Sequence, residues 1–287
     1  MNKPGAQELS YCAQAVRESD PERYLCTLTA PPEAREALFA LFAFDAEIAR
    51  VRHAVSQPMA GLIRLQWWRE ALEGIAAGRP LAHPVVEALH DRAWTRLHPV
   101  RDRLEAAIEA RERELEDETP IEDEAALARH LDATGAATTL AALHLLGADD
   151  VAEARDAGAH VGRAWALVHL VRSLPSDLGA RRLLVPRSAL ARRGLEAEAL
   201  FERRPGEGLN AAVAELADTA QGHLREARRL RAGVPRRALA ALLPAVFVDL
   251  HLKRLRRAGF DPSTPALARP MPAAPLRLLW RRLRGVY

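Results

Sequence analysis

The sequence predicts an all-α protein, and three observations carry that reading. Ala and Arg are abundant while Ile, Val and Thr are sparse, a mix that favours helix over strand. Apolar residues return at three- and four-residue spacing between Pro and Gly breaks. No stretch alternates apolar and polar residues as a half-buried strand does. At 287 residues the chain is long enough for one large helical domain with a buried core.

The elements follow in order. Pro31-Pro32-Glu33 opens a helix, with Pro in the first turn and an acid near the positive end of the dipole. Leu38, Phe39, Leu41, Phe42, Phe44 and Ile48 continue it to about Val55, and Ser56-Gln57-Pro58 stops it. A second helix runs from Met59 to Ala77 and carries Leu62, Leu65, Gln66, Trp68 and Leu72, with Gly78-Arg79-Pro80 as its break. Pro84 begins a third, to about Leu97, and Val100 to Asp117 is a charged helix with Leu104, Ile108 and Leu115 inward. Thr119-Pro120-Ile121-Glu122 restarts the chain. Ala125 to Leu146 and Val151 to Leu174 are apolar helices, and Pro175 is expected to end the second. Leu178 to Gly208 is expected to be irregular, with Gly179, Pro186, Gly194, Pro205 and Gly206. Asn210 to Arg231 and Pro235 to Ala258 are helical. Prolines 262, 265, 270, 272 and 275 predict an extended stretch from Asp261 to Pro275, and a short basic helix, about Leu276 to Gly285, closes the chain. The sequence divides into a helical domain, 1–262, and a Pro-rich segment with a basic amphipathic helix, 263–287.

The net charge of +3 is unevenly spread. Arg101 to Ala126 holds eleven acidic and four basic residues, whereas Leu250 to Tyr287 holds nine Lys/Arg and one acid, Asp261. The basic end points to an acidic partner. The acidic run Glu109, Glu112, Glu114, Glu116, Asp117 and Glu118 alternates with Arg111 and Arg113 and reads as a solvated helix face. Cys12 and Cys26 fit no disulfide framework or metal cluster and read as two unpaired thiols in a reducing compartment. No apolar run reaches the ~18 residues of a membrane span. Met1 to Ser10 lacks the pattern of a secretory signal, so a cytoplasmic location is expected. The basic residues carry no nucleic-acid-binding motif, so no nucleic-acid partner is expected.

Three segments carry a family resemblance: "YLCTLTAPPEAREALFALFAFDAEIARVRH", Tyr24 to His53; "LVHLVRSLPSDLGARRLLVP", Leu167 to Pro186; and "LPAVFVDLHLKRLRRAGFDP", Leu243 to Pro262. Their order and spacing resemble the squalene/phytoene synthases. That resemblance implies a single helical bundle of the isoprenoid synthase type with a central cavity. Such enzymes remove diphosphate from a prenyl substrate, and magnesium ions held by two facing aspartate clusters neutralise the leaving group. Carboxylates one turn apart on a helix face can share such an ion.

Here the first cluster is degenerate: its positions fall on Ala49, Arg50 and His53. Asp45 and Glu47 lie nearby but point about 200° apart on a helix, and they read as surface charges. The second cluster is half kept: its aspartates fall on Ser173 and Asp177, and its Asn on His169. Arg172, Ser173, Asp177, Arg181 and Arg182 are the diphosphate-binding candidates, since guanidinium forks match phosphate geometry. Asp177 is the one candidate magnesium ligand, or else pairs with Arg172 or Arg181. No cofactor is expected unless the chain is an enzyme that uses magnesium. Phe42, Gln66, Trp165 and His169 are candidates for the cavity wall, His169 either as an acid/base group or as a core residue, while Trp67 and Trp68 read as packing. Glu70 and Glu73 are further carboxylates that could fill the gap at 49–53.

The degenerate pattern is similar to one branch of the family, the assembly factor of respiratory complex I. That resemblance implies a non-catalytic protein at the inner face of the cytoplasmic membrane, with a complex I subunit as partner and a lipid or prenyl chain as ligand; the other reading is an active magnesium-dependent prenyl transferase. In the last helix Leu276, Leu279, Trp280 and Leu283 share one face and Arg277, Arg281 and Arg284 another. Leu279, Trp280 and these three arginines are the candidate contacts to an anionic membrane, the alternative being a helix that docks on its own domain.

Overall fold

The computed structural model describes residues 9–55, 57–202 and 206–287. Met1 to Glu8, Ser56 and Pro205, to which the sequence reading assigned roles, lie outside them. The described residues are helical with no strand. The helices are α1 (Tyr11–Ser19), α2 (Pro21–Thr27), α3 (Pro32–Ala54), α4 (Pro58–Ala76), α5 (Pro84–Ala88), α6 (Trp94–Leu97), α7 (Arg101–Glu116), α8 (Glu124–Leu131) and α9 (Ala137–Leu145). Then follow α10 (Ala152–Gly179), α11 (Arg187–Ala191), α12 (Ala197–Glu202), α13 (Glu207–Arg229), α14 (Leu239–Leu242), α15 (Pro244–Arg257) and α16 (Ala274–Arg284).

Local chemistry explains the boundaries. Pro sits in the first turn of α2, α3, α4, α5 and α15, where its missing N–H costs nothing. Ser10, Asp20 and Asp123 cap α1, α2 and α8 with side-chain oxygens. Turns of π-helix, Leu89–Ala93 and Asp132–Ala136, join α5 to α6 and α8 to α9.

α10 is the central strut, buried along one side from Ala154 to Leu178, and packs on α9, α13 and α15. α3 and α7 face it across the molecule's interior, and α4 covers α7. The back of the bundle closes tightly. A Cβ on Gly135, in the second π turn, would collide with the carbonyl of Gly162 on α10, and one on Gly162 with the carbonyl of Gly135. Only two glycines let these backbones meet. Trp68 packs edge-on against Phe44 with ring centres 5.4 Å apart, so the second-helix tryptophans serve packing as expected.

Several expectations are corrected. Pro175 does not end α10; the helix runs to Gly179 with Pro175 inside it. The turn beyond it is held by the Asp177 side chain, bonded to Ser173 and Arg52, and by the Arg182 N–H on the Asp177 carbonyl at 2.8 Å. The stretch 178–208 contains α11 and α12, and Asp261 to Pro275 bends through a 3-10 turn, Pro265–Leu267, that buries Leu267. Cys12 and Cys26 are free and buried. Burial pushes the Cys12 thiol up to about 12 and the Cys26 thiol well above its ordinary value, so neither is a ready nucleophile. No helix among the described residues is long and apolar enough to cross a membrane.

Candidate functional site

A cavity of about 730 Å³ opens between α1, α3, α10 and the second π turn. Helical spacing builds its α10 wall: Trp165, His169 and Ser173 stand one turn apart and all three line it, with Asp177 one turn further on, buried beneath the wall. On α3, Phe42, Ala49, Arg50 and His53 line the opposite side. The three positions of the degenerate cluster therefore face the cavity. The wall is polar for a hydrocarbon site: Asp20, Arg23, Asp45, Glu47, Arg111, His130 and Thr134 also line it.

At its head an arginine joins the two degenerate motifs. Arg52, 7% exposed on α3, donates from Nη2 to Asp177 Oδ2 on α10 at 2.9 Å, and its Nη1 lies 3.2 Å from Glu114 Oε2 on α7. Ser173 Oγ donates to the same Asp177 oxygen at 2.6 Å. Arg111 donates to Glu114 Oε1 at 2.6 Å, and His130 Nε2 lies 3.5 Å from that oxygen. Burial opposes the charge on Glu114, but Arg111, Arg52 and His130 outweigh it and hold the carboxyl down to about 2. Burial pushes His130 down to about 4 despite Glu114, so at neutral pH the imidazole is uncharged. His53 accepts from Arg52 Nε at 3.0 Å, and burial together with Arg52 lowers it below its ordinary value.

The carboxylates at the head do not fit magnesium. Asp177 is the one acid kept from the motifs, and a guanidinium and a hydroxyl already meet its Oδ2. Arg52 itself would repel a divalent ion at that place. Among the described residues no group of three or more His, Cys, Asp or Glu is placed to hold a metal.

Deeper in, Arg23 donates to Asp45 Oδ2 at 2.5 Å and lies over the rings of Phe42 and Trp165, at 5.0 and 5.7 Å. His169 leaves its buried Nε2 without a partner, and burial, with Arg172 and Arg23 nearby, keeps it well below its ordinary value. It is a neutral imidazole in the wall.

The remaining candidates disperse. Gln66 is exposed, bonds Glu70 at 3.2 Å, and does not line the cavity; Glu70 and Glu73 are exposed too, because this face of α4 points away from α3. Asp177 pairs with neither Arg172 nor Arg181. Arg172 reaches Glu22 on α2 at 3.3 Å, and Arg181 pairs in solvent with Glu118 and Glu198. Arg182 is half-buried behind Arg52, outside the cavity wall. Asp45 and Glu47 are not surface charges: both line the cavity, paired with Arg23 and Arg50. Glu114 is not part of a solvated face, being 3% exposed. Sequence reasoning missed it and Arg52. Ala107 and Ala110, seven and four residues before Glu114, were the signal that it lies on the buried side of α7.

The family model for squalene/phytoene synthase matches residues 16–283. Complex I assembly factor 6 of Rattus norvegicus is 31% identical, the match covering 95% of this chain and 82% of that protein. The Homo sapiens factor is 30% identical, over 96% and 82%. Among solved structures, squalene synthase HpnC from Alicyclobacillus acidocaldarius superposes with a TM-score of 0.73 at 22% identity, covering 88% of this chain and 94% of that one.

Proposed function

The chain belongs to the squalene/phytoene synthase family, and we propose that it is a member in which prenyl transfer has given way to a role in assembling respiratory complex I. The observation that carries this is Arg52. Its guanidinium bridges Asp177 and Glu114 at the place where the family's two clusters would share magnesium. A diphosphate leaving group would find no divalent ion there, and its charge would develop unassisted. The similarity to assembly factors that bear the complex I name supports the same reading.

In this reading the cavity remains as a binding pocket. Its polar wall suits the polar end of a lipid or prenyl ligand better than the hydrocarbon chain, with Phe42 and Trp165 stacking against it and His169 and Thr134 offering hydrogen bonds. The partner is a subunit of complex I, met at the inner face of the membrane, where the basic C-terminal end is drawn to anionic lipid.

The test is incubation of the folded chain with farnesyl or geranylgeranyl diphosphate, magnesium and reductant, followed by product analysis. No C30 or C40 product is expected, and cells lacking the chain should contain less assembled complex I. A hydrocarbon product that disappears in Asp177→Ala would restore the prenyl transferase reading.

A further inference from the structure

The last helix shows two faces that its sequence did not separate. Ala274 and Leu278 are buried against the bundle. Leu276, Leu279, Trp280 and Leu283 are 72, 56, 49 and 67% exposed. The helix is thus docked on its own domain and still presents an apolar face to water.

It is held firmly in that pose. Gly285, at φ 66°, ends the helix and turns the chain back. Tyr287 then tucks its ring beneath α13, 1% exposed, with its hydroxyl donating to the Ala227 carbonyl at 2.7 Å. Arg228 donates to the Tyr287 carbonyl and to Asp249, and Arg236 to the Leu283 carbonyl at 3.2 Å. The apolar face therefore cannot turn inward without releasing these contacts.

Arginines frame it. Arg277, Arg281, Arg282 and Arg284 pair with no carboxylate among the described residues, and the guanidinium of Arg284 lies 4.4 Å from the Trp280 ring centre. A second copy of this chain is a poor occupant, because a two-fold contact would set these arginines against one another. Between residues 250 and 287 the one acid is Asp261.

We propose that the outer face of α16 is a preformed interfacial docking surface for an anionic lipid bilayer. Leu276, Leu279, Trp280 and Leu283 enter the headgroup boundary, and the arginines contact lipid phosphates. The helix lies flat on the bilayer, fixed to the bundle through Tyr287. This deepens the membrane placement proposed above and is independent of the assembly role.

The test measures flotation of the full chain with mixed phosphatidylcholine–phosphatidylglycerol vesicles and with pure phosphatidylcholine vesicles. Binding to the mixed vesicles is expected, weakening with salt. In Leu279→Ser/Trp280→Ser it should fall at least about tenfold. In Arg277→Gln/Arg281→Gln/Arg284→Gln it should fall about a hundredfold at low salt, at roughly fivefold per arginine. Both variants should melt with the wild-type chain, since Arg277, Leu279, Trp280 and Arg284 are exposed and the half-buried Arg281 pairs with no carboxylate among the described residues. Equal binding to neutral vesicles, binding unchanged in both variants, or no vesicle binding by the folded wild type would overturn the proposal; so would self-association that the double variant abolishes. Complex I levels, measured separately in cells, test the assembly role whichever way the vesicles answer.

Discussion

Arginine does opposite work at the two ends of this molecule. At the head of the cavity Arg52 is buried and Arg111 half-buried, and each lies against a buried carboxylate from another element or the same helix turn. Along α16 the arginines stand beside exposed leucines and a tryptophan and pair with no acid among the described residues. The first arrangement is closed in charge: two cations and two anions offset one another, and little net charge is left for a ligand, although Arg52 Nη1, Glu114 Oε2 and Asp177 Oδ1 make no hydrogen bond among the described residues. The second is open and asks for an anion from outside. A count of arginines would have ranked both regions as anion sites, and the pairing separates them.

The sharpest way to break this comparison is Arg52→Ala. It leaves Asp177 and Glu114 buried without their shared partner, and the expected loss is about 3–5 kcal/mol in a urea or thermal melt. A loss below about 1 kcal/mol would mean that the head cluster is as solvated as the tail. The companion Arg52→Ala/Asp177→Ala should lose less than the two single changes together.

Acid should then dissolve the head cluster in two stages. His130 is held near 4 in the fold but titrates at its ordinary 6.5 once unfolded, so the unfolded chain takes the proton first. Stability should be level above neutrality and fall as the pH drops from 6.5 towards 4. Glu114, held near 2 against an ordinary 4.5, adds a second loss from 4.5 downwards. His223, also pushed down to about 4 by burial and His160, contributes to the first stage. His130→Gln should therefore reduce the slope between pH 6.5 and 4.5 and change it little below 4, where Arg111 and Arg52 still hold Glu114 down, as read from denaturation midpoints across pH.

At the other end, Tyr287→Phe removes the hydroxyl that meets the Ala227 carbonyl and should cost about 1 kcal/mol. The smallest effect is expected for Arg277→Gln/Arg281→Gln/Arg284→Gln, within about 0.5 kcal/mol of wild type by thermal melt. A larger destabilisation would show that the tail arginines hold the fold together, and the contrast would dissolve.

How much of this was legible in the sequence follows the range of the interactions. Helix starts at Pro32 and Pro84, and the facing of Ala49, Arg50 and His53, depend on spacing within one helix, and spacing can be read. The partner of Asp177 could not be read. Arg52 lies 125 residues away, and the near-neighbour arginines 172 and 181 looked like better partners until their directions were known. Glu114 was misread because a charged helix with a narrow apolar stripe resembles a solvated one. Its burial follows from α4, the π turn and α9 all packing on α7. Backbone rules alone make Pro175 a helix end, whereas the side chain of Asp177 keeps the next turn in place.

The two glycines at the back of the bundle also bear on motion. Where Gly135 and Gly162 touch, the backbones have no side chain that could rearrange to let them part. Any breathing that admits a ligand must come from the opposite side, where short α1 carries Tyr11, Gln14 and Glu18 along the rim. In a hydrogen-exchange time course, amides around 158–168 should be among the last to exchange and those of α1 among the first. A ligand that seats in the cavity should then slow α1 while leaving the glycine crossing unchanged.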